Sequence, residues 1–142
     1  ISTGENFECL IGEKAKVAFL SFSTKGSASH PFVEKVQKAV EIAKSKNRNF
    51  PVDGEFQADT AIVSVVAEKK LKEPSEVAGK ANVLIFPDLN SGNISYKLTQ
   101  YLAKAQALGP ILQGFAKPVS DLSRGAKVED IIKTTAILSC MC

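Results

Sequence analysis

Apolar residues along this chain follow two patterns, continuous runs of strand length and stripes that recur every three to four positions. The runs occupy residues 17–23, 82–86 and 111–115, and a shorter one, kinked at Gly54, follows Pro51. Stripes typical of amphipathic helices separate these runs, the clearest being Val33, Val36, Val40 and Ala43. Because strands and helices alternate, the pattern predicts a three-layer α/β/α sandwich with a mainly parallel sheet.

Several elements can be predicted one by one. The run 82–86, between Gly79 and Pro87, is the clearest buried strand. Ser29 is expected to cap a helix that begins near Pro31. Residues 58–71 are expected to form one helix, with Ala61, Val65 and Leu71 among its inward positions. A further helix ends at Gly109-Pro110, and its apolar face comprises Ile94, Leu98, Tyr101, Leu102 and Ala105.

A candidate anion site precedes the last predicted helix. Ser123, Arg124 and Gly125 come just before the apolar stripe Val128, Ile131, Ile132, Thr135 and Leu138. Free N–H groups and the positive end of a helix dipole favour negative charge, and a planar guanidinium fits phosphate or carboxylate. Asp130, in the same N-terminal turn, is placed to act as a base. The alternative is a plain helix start, with Ser123 as the cap and Arg124 in solvent.

Polar loops that follow predicted strands give two further candidates. Residues 24–29 form a small polar loop able to approach a ligand, but the loop lacks GxxxxGK[ST] spacing, and such loops are more commonly simple turns. Asn90, Ser91, Gly92 and Asn93 follow the run 82–86. They form a second candidate contact surface, because ligands in open α/β sheets bind beyond the carboxyl ends of strands.

Two acidic residues and one histidine admit both a chemical and a structural interpretation. Asp53 and Glu55 alternate on a predicted strand and so share a face, as an acid/base pair would. A polar turn beside a strand explains them more simply. His30, beside the expected helix cap, is interpreted as structural rather than catalytic.

Composition disfavours several classes of function. The net charge of +3 is spread as isolated lysines, which disfavours nucleic acid binding, and no apolar stretch is long enough to span a membrane. Residues 1–15 lack the pattern of a signal peptide. Cys140 and Cys142 could chelate a metal. However, the three cysteines, which also include Cys9, contain no CxxC pair, and the histidine His30 is distant from the C-terminus in sequence. Free thiols in a reducing cytoplasm are therefore favoured over a metal site.

Residues 118–125, Pro-Val-Ser-Asp-Leu-Ser-Arg-Gly, resemble the C-terminal signature of the phosphate acetyltransferases, which usually has Asn where this chain has Ser120. The resemblance runs from about Val17 to Leu138 and includes residues 19–27, 51–56, 82–100 and 109–118. Related butyryl-type enzymes differ around the Ser-Arg element, so residues 119–122 favour the acetyl class.

This resemblance implies two α/β domains around a cleft, with a fold like that of isocitrate and isopropylmalate dehydrogenases. It implies reversible transfer of an acetyl group between coenzyme A and inorganic phosphate, giving acetyl phosphate, with no metal or other cofactor, in a cytoplasmic homodimer. Ser123, Arg124 and Gly125 would bind phosphate or acetyl phosphate, and Asp130 would accept the thiol proton. The residues implied for coenzyme A are Asn90, Ser91, Gly92, Asn93 and Lys104.

The family's N-terminal portion has no counterpart here, so the chain resembles a C-terminal part. Residues 1–118 would form an α/β domain on the coenzyme A side of the cleft. Residues 119–142 would supply the anion-site loop and a helix returning toward the missing domain. Such a part is expected to be inactive alone. Tyr101 also replaces an arginine of the family, for which Lys104 or Lys97 would substitute. The alternative is a non-catalytic acetyl-CoA- or phosphate-sensing domain, like the module fused to some malic enzymes.

Overall fold

The computed structural model of the protein describes residues 1–46 and 49–141. Six helices and five strands follow one another within these residues. In chain order they are α1 (Ser2–Ile11), β1 (Val17–Leu20), α2 (Pro31–Lys46), β2 (Val52–Phe56), α3 (Ala58–Ile62), α4 (Ser64–Lys70), β3 (Val83–Ile85), α5 (Leu89–Leu102), β4 (Ile111–Leu112), β5 (Val119–Ser120) and α6 (Val128–Cys140).

The central element is a three-stranded parallel sheet in the order β2-β1-β3. Val17 of β1 is aligned with Val52 of β2 on one side and with Val83 of β3 on the other. Side chains of β1 alternate between two packed layers, as the pleat requires. One layer joins β1 to α3, α4 and the segment before β3 through Ala18, Leu20, Phe56, Ala61, Ala67, Val77 and Ala78. The other contains Ala15, Val17, Phe50 and Val83, with Phe7 of α1 packed against it. The predicted α/β architecture with a parallel sheet flanked by helices is confirmed.

The most buried strand is β1 and not the run 82–86. In β3, only Val83 is buried, because this strand lies at the edge of the described sheet. β1 is paired on both sides and covered on both faces. The strand predicted at 82–86 is confirmed, but its rank as the most clearly buried strand is wrong, because an apolar run does not show which strand has neighbours on both sides.

Helix α2 packs on the sheet through the predicted stripe. Val33, Val36, Val40 and Ala43 are all buried, which confirms the periodicity. The expected cap is displaced by one residue, because the carbonyl of His30 accepts the N–H groups of Val33 and Glu34. The helix therefore begins from His30, and Ser29 does not cap it.

Residues 58–71 form two helices that meet at Val63. The carbonyls of Thr60 and Ala61 would continue one helix by accepting N–H groups four residues later, but they accept those of Gly79 and Ala81 instead. The prediction of one helix is wrong for this reason. Val65 is 59% exposed, so its predicted inward position is also wrong.

The C-terminal third packs less tightly than the rest. Helix α5 ends at Leu102, well before Gly109-Pro110, and none of its described residues is buried. Residues 111–112 do not join the parallel sheet. They pair with 119–120 in an antiparallel hairpin of their own. Within the described residues, no helix has both the length and the apolar character needed to cross a membrane.

Candidate functional site

The Ser-Arg-Gly segment forms an exposed turn between β5 and α6. The N–H of Ala126 donates to the carbonyl of Ser123 at 2.9 Å, which closes the turn. The N–H of Gly125 lies 3.4 Å from the Ser123 hydroxyl oxygen. Ser123, Arg124 and Gly125 are thus held together by their own backbone, one turn ahead of the helix.

Helix α6 begins from Lys127 and not from Ser123. Asp130 accepts the backbone N–H of Lys127 through Oδ2 at 2.9 Å, so its carboxylate caps the helix on which it stands. Ser123 therefore does not have the capping role that the plain-helix alternative gave it. Oδ1 of Asp130 accepts no hydrogen bond from the described residues, so one carboxylate oxygen is left for another partner.

Arg124 is exposed and makes no hydrogen bond or ion pair with the part of the chain that the structure describes. Its five N–H donors therefore remain for a ligand. Such a guanidinium can bind a phosphate or a carboxylate through two parallel hydrogen bonds. Because the positive end of α6 is close in sequence, it favours negative charge at the same place.

The residues predicted for coenzyme A are divided between the two ends of α5. Asn90, Ser91, Gly92 and Asn93 lie in the first turns of the helix rather than in a loop. Lys104 lies just beyond the C-terminal end, in the left-handed conformation with φ of 54°. A helix of 14 residues is about 20 Å long, so the structure does not bring Lys104 together with the first group.

The start of α5 is closed by its own cap. Asp88 accepts the N–H of Ser91 at 2.9 Å and the Ser91 hydroxyl at 2.9 Å. The N–H and the hydroxyl of Ser91, together with electrostatic attraction to Lys35, hold the pKa of the Asp88 carboxyl below its usual range. Ser91 is therefore engaged within the protein, whereas Asn90 and Asn93 are exposed.

The loop that follows β1 does not cradle an anion with its backbone. Every N–H from Ser23 to Ala28 donates to an acceptor in the protein. Two of these donors reach Glu55, whose Oε1 accepts the N–H of Gly26 at 2.7 Å and whose carbonyl accepts that of Lys25 at 3.1 Å. The backbone donors of the loop are consequently satisfied within the protein, which favours the interpretation of this loop as a simple turn.

Asp53 and Glu55 hold this loop in place. Glu55 is buried and also accepts the Ser23 hydroxyl at 2.9 Å. Asp53 Oδ1 accepts the ammonium groups of Lys25 at 2.6 Å and Lys44 at 2.7 Å. Its Oδ2 accepts the hydroxyl of Ser75 at 2.7 Å.

The electrostatics of both carboxyls follow from these contacts. Burial alone would raise the pKa of Asp53, but the hydrogen bonds from Lys25, Lys44 and Ser75 outweigh it and lower that pKa to about 2. Burial would also raise the pKa of Glu55. The hydrogen bonds from the Gly26 N–H and the Ser23 hydroxyl outweigh this effect, so the pKa of Glu55 is lowered. Both groups remain charged and fully engaged near neutral pH, which favours their structural interpretation over the acid/base one.

The described residues contain no group of three or more His, Cys, Asp and Glu side chains that could hold a metal ion. Cys9 and Cys140 are exposed free thiols. Cys142, the other half of the possible C-terminal chelate, lies outside the described residues, as does Arg48.

Sequence reasoning missed an exposed aromatic group beside the first loop. Phe22, His30 and Phe32 contact one another edge to face. The available signal was a phenylalanine on each side of a short polar loop, which the apolar pattern alone treats as ordinary strand and helix residues.

Phosphotransacetylases of known structure share the fold of this chain. The structure of a phosphotransacetylase from Streptococcus pyogenes matches with a TM-score of 0.90 and 49% identity, over 97% of this chain and 41% of that one. The EutD phosphotransacetylase from Staphylococcus aureus matches with a TM-score of 0.85 and 44% identity, over 97% and 42%.

The chain belongs to the phosphate acetyl/butaryl transferase family, whose model matches residues 1–139. A phosphate acetyltransferase from Acetivibrio thermocellus is 58% identical over 137 residues, which are 96% of this chain and 41% of the relative. One from Bacillus subtilis is 54% identical over 122 residues, or 86% and 38%. The chain thus spans about two fifths of the length of the curated relatives it matches.

Proposed function

We propose that this chain is the C-terminal part of a phosphate acetyltransferase that transfers an acetyl group reversibly between coenzyme A and inorganic phosphate. The observation that carries the proposal is the family match over residues 1–139, which includes the exposed Ser-Arg-Gly turn. The relatives described above are phosphate acetyltransferases, which favours an enzyme over the sensing domain considered as the alternative.

Ser123, Arg124 and Gly125 would bind the phosphate group of acetyl phosphate. Arg124 is suited to this role because its donors are unused within the described part of the chain, and an arginine binds phosphate through two parallel contacts. As the acetyl carbon is attacked, charge accumulates on the phosphate leaving group, and a fixed cation stabilises it.

Asp130 would accept the proton of the coenzyme A thiol. A thiol has a pKa of roughly 8.5 and needs a base to become a nucleophile near neutral pH. Oδ2 is engaged by the Lys127 N–H, which orients the carboxylate, while Oδ1 is available for the proton. The thiolate then forms the new C–S bond as the C–O bond to phosphate breaks, and phosphate leaves with the electron pair.

The arrangement of the whole enzyme follows from the same proposal. Residues 1–118 would form one wall of a cleft, and residues 119–142 would carry the anion-site loop and α6 toward a second domain. Coenzyme A would contact the start of α5 through Asn90, Ser91, Gly92 and Asn93, and the segment after α5 through Lys104. We place the enzyme in the cytoplasm as a homodimer, with no metal cofactor.

The test uses the longer protein that contains this chain. Acetyl-CoA formation from acetyl phosphate and coenzyme A is measured for the wild type, Arg124→Lys and Asp130→Asn, with Lys117→Ala as a control for loss of a nearby cation. Arg124→Lys should lower kcat/KM for acetyl phosphate at least tenfold, because an ammonium cannot reproduce the two-pronged contact. Asp130→Asn should lower kcat, with the remaining rate rising toward higher pH as free thiolate increases.

Two results would count against the assignment. If Arg124→Lys keeps the wild-type kcat and KM, Arg124 does not bind the phosphate. If Asp130→Asn keeps both the rate and the pH profile, Asp130 is not the base. Absence of acetyl transfer in the wild-type longer protein would remove the proposed activity itself.

A further inference from the structure

The hairpin that precedes the Ser-Arg-Gly turn has a polar residue on its packed face. Ser120 of β5 is aligned with Ile111 of β4, so their side chains share one face of the hairpin. Both residues are half-buried, whereas Leu112 and Val119, the other aligned pair, are exposed. Because a hydroxyl loses contact with water on a packed face, it needs hydrogen-bond partners within the protein.

The Ser120 hydroxyl connects the start of β4 to the segment that leads into the turn. Its oxygen lies 2.7 Å from the carbonyl oxygen of Pro110 and 2.9 Å from that of Asp121, and its one proton serves both acceptors. Pro110 immediately precedes β4, and Asp121 immediately follows β5. One side chain therefore holds the entrance of the turn against the opposite strand of the hairpin.

Strand β4 is attached to the rest of the domain. The hydroxyl of Thr3 in α1 donates to Oε1 of Gln113, the residue after β4, at 3.1 Å. Ile111 of β4 lines the same cavity as Phe7 of α1 and Val83 of β3. Strand β5, in contrast, pairs with β4 over only two residues, and a two-stranded ladder is weak by itself. The Ser120 hydroxyl therefore supplies an important part of what holds β5 in place.

The other end of the turn has its own anchor. Asp130 accepts the N–H of Lys127, and the N–H of Ala126 donates to the carbonyl of Ser123. Arg124 lies between these contacts and Ser120 in the chain. Its position thus depends on two anchors, one at the hairpin and one at α6, and loss of the Ser120 hydroxyl releases only the first.

We propose that Ser120 is a positioning residue of the Ser-Arg-Gly turn, whose hydroxyl fixes the direction in which Arg124 presents its guanidinium to the phosphate group of acetyl phosphate. The proposal rests on the function proposed above and adds a residue that acts through Arg124 without touching the substrate. A two-pronged contact requires a defined direction, so a loosened turn has to be ordered when the phosphate binds. Such ordering weakens binding and slows transfer.

The first experiment measures amide hydrogen exchange in residues 1–142 by ¹H–¹⁵N spectra. Ser120→Ala should accelerate exchange of the Ala126 N–H about fivefold, because the turn loses the hydrogen bond at its hairpin end. Ser120→Thr keeps a hydroxyl and should exchange like the wild type. The N–H of Val33, which donates to the carbonyl of His30, is the internal reference and should not change. Thermal unfolding verifies that each variant is folded.

The second experiment measures acetyl-CoA formation by the longer protein. Ser120→Ala should lower kcat/KM for acetyl phosphate about five- to tenfold. The KM for coenzyme A and the pH profile should stay as in the wild type, because Asp130 keeps its own anchor. Ser120→Thr should restore the wild-type kcat/KM. Ser45→Ala is the matched control and should leave activity unchanged, since the exposed Ser45 also donates its hydroxyl to a carbonyl, that of Ile42 at 2.9 Å, but does so in α2.

The inference is overturned if Ser120→Ala leaves either the exchange of Ala126 or kcat/KM for acetyl phosphate at the wild-type value. It is also overturned if Ser120→Thr is as impaired as Ser120→Ala, because the hydroxyl would then not be the group that acts. An equal rise in KM for coenzyme A and for acetyl phosphate would identify a general loss of structure instead of a positioning role.

The inference fails separately from the proposed function. Acetyl transfer by the wild-type longer protein that Ser120→Ala does not slow would retain the activity and remove the positioning role. Faster exchange of Ala126 in Ser120→Ala, combined with no acetyl transfer by the wild-type longer protein, would remove the activity and retain Ser120 as the residue that holds the turn.

Discussion

Asp53 illustrates how single residues stabilise this molecule. Its carboxylate accepts hydrogen bonds from two ammonium groups, one hydroxyl and the N–H of Gly54. These contacts connect the loop after β1, the end of α2 and the segment before β3 to one strand. Mutual contact with oppositely charged groups offsets the cost of burying the carboxylate.

We expect the stability of the chain to fall as acid protonates Asp53. Its folded-state pKa of about 2 lies below the model-compound value of 3.8, so its contribution is fully present above pH 4 and is lost as the pH falls toward 2. The shift corresponds to about 2 kcal/mol of unfolding free energy. Urea unfolding of the wild type and Asp53→Asn at pH 7 and at pH 2.5 measures this contribution to the free energy of unfolding.

The wild type should be more stable than Asp53→Asn at pH 7, and the difference should shrink at pH 2.5. Asp121→Asn serves as a control, because Asp121 is exposed and no lysine pairs with it in the described structure. A difference between wild type and Asp53→Asn that is the same at both pH values would contradict the assignment of the pKa.

At the scale of elements, periodicity predicts the packing of α2 because its stripe faces the sheet directly. It does not predict the break at Val63, because the cause is distant in sequence. The N–H groups of Gly79 and Ala81 donate to the carbonyls that would otherwise continue the helix. Periodicity also does not predict that His30 caps α2. Its imidazole Nδ1 accepts the N–H of Phe32, which the Ser29 hydroxyl was expected to bind. Likewise, the sequence pointed to Ser123, Arg124 and Asp130 by type and spacing, but not to the use of Asp130 as the cap of α6.

Gly54 is the element-scale feature that a substitution tests most directly. The alignment of β1 with β2 shifts at this residue, from Ala18 opposite Asp53 to Leu20 opposite Phe56, which confirms the predicted kink. Its φ is 152°, and an added Cβ would lie 2.9 Å from the carbonyl oxygen of Phe19. Gly54→Ala should therefore lower the free energy of unfolding by about 2–5 kcal/mol, through backbone strain and overpacking together.

Gly12→Ala provides the control for backbone conformation alone. Gly12 also has positive φ, 75°, but an added Cβ would meet nothing within 4 Å. Gly12→Ala should lower the free energy of unfolding by only about 1–2 kcal/mol. Urea unfolding measures the free energy of unfolding of both variants. If Gly54→Ala and Gly12→Ala lower it equally, the close approach of β1 and β2 at Gly54 does not contribute to stability.

The apolar stripe of α6 faces outward in this chain. Val128, Ile131 and Ile132 are exposed, whereas Thr134 is buried and Ile137 is half-buried. We infer that the exposed stripe packs against the rest of the longer protein. In residues 1–142, Ile132→Ser should change the unfolding free energy by less than about 0.5 kcal/mol. In the longer protein the same substitution should destabilise by about 2 kcal/mol or more.

Ile137→Ser is the matched substitution on the packed side of α6, and it should destabilise both proteins. Thermal unfolding of the four variants measures the difference. If Ile132→Ser is equally harmless in both proteins, the outward stripe of α6 does not contact the additional part of the longer chain.

For the whole molecule, the fold class was predictable because it depends on the order of strands and helices. Small errors in the predicted ends of these elements do not change that order. The relation of the anion-site turn to the rest of the proposed active site was not predictable, because Ser123 and Arg124 are both exposed and the described residues show no partner for the Arg124 guanidinium. In the proposed enzyme, a site of this kind would position two substrates through contacts from opposite walls of the cleft.

The chain of residues 1–142 alone should therefore fold and yet show no acetyl transfer. Under the proposed function, the positioning of acetyl phosphate against the coenzyme A thiol would depend in part on groups from a second domain, and loss of such positioning lowers rates by several orders of magnitude. Acetyl-CoA formation is measured with the purified chain and with the longer protein at equal molar concentration, and circular dichroism verifies that the shorter chain is folded. We expect the chain to run at less than about a thousandth of the longer protein's kcat. A comparable turnover would show that the turn at Ser123–Gly125, with Asp130, is a complete site, and the proposal of a second wall would have to be abandoned.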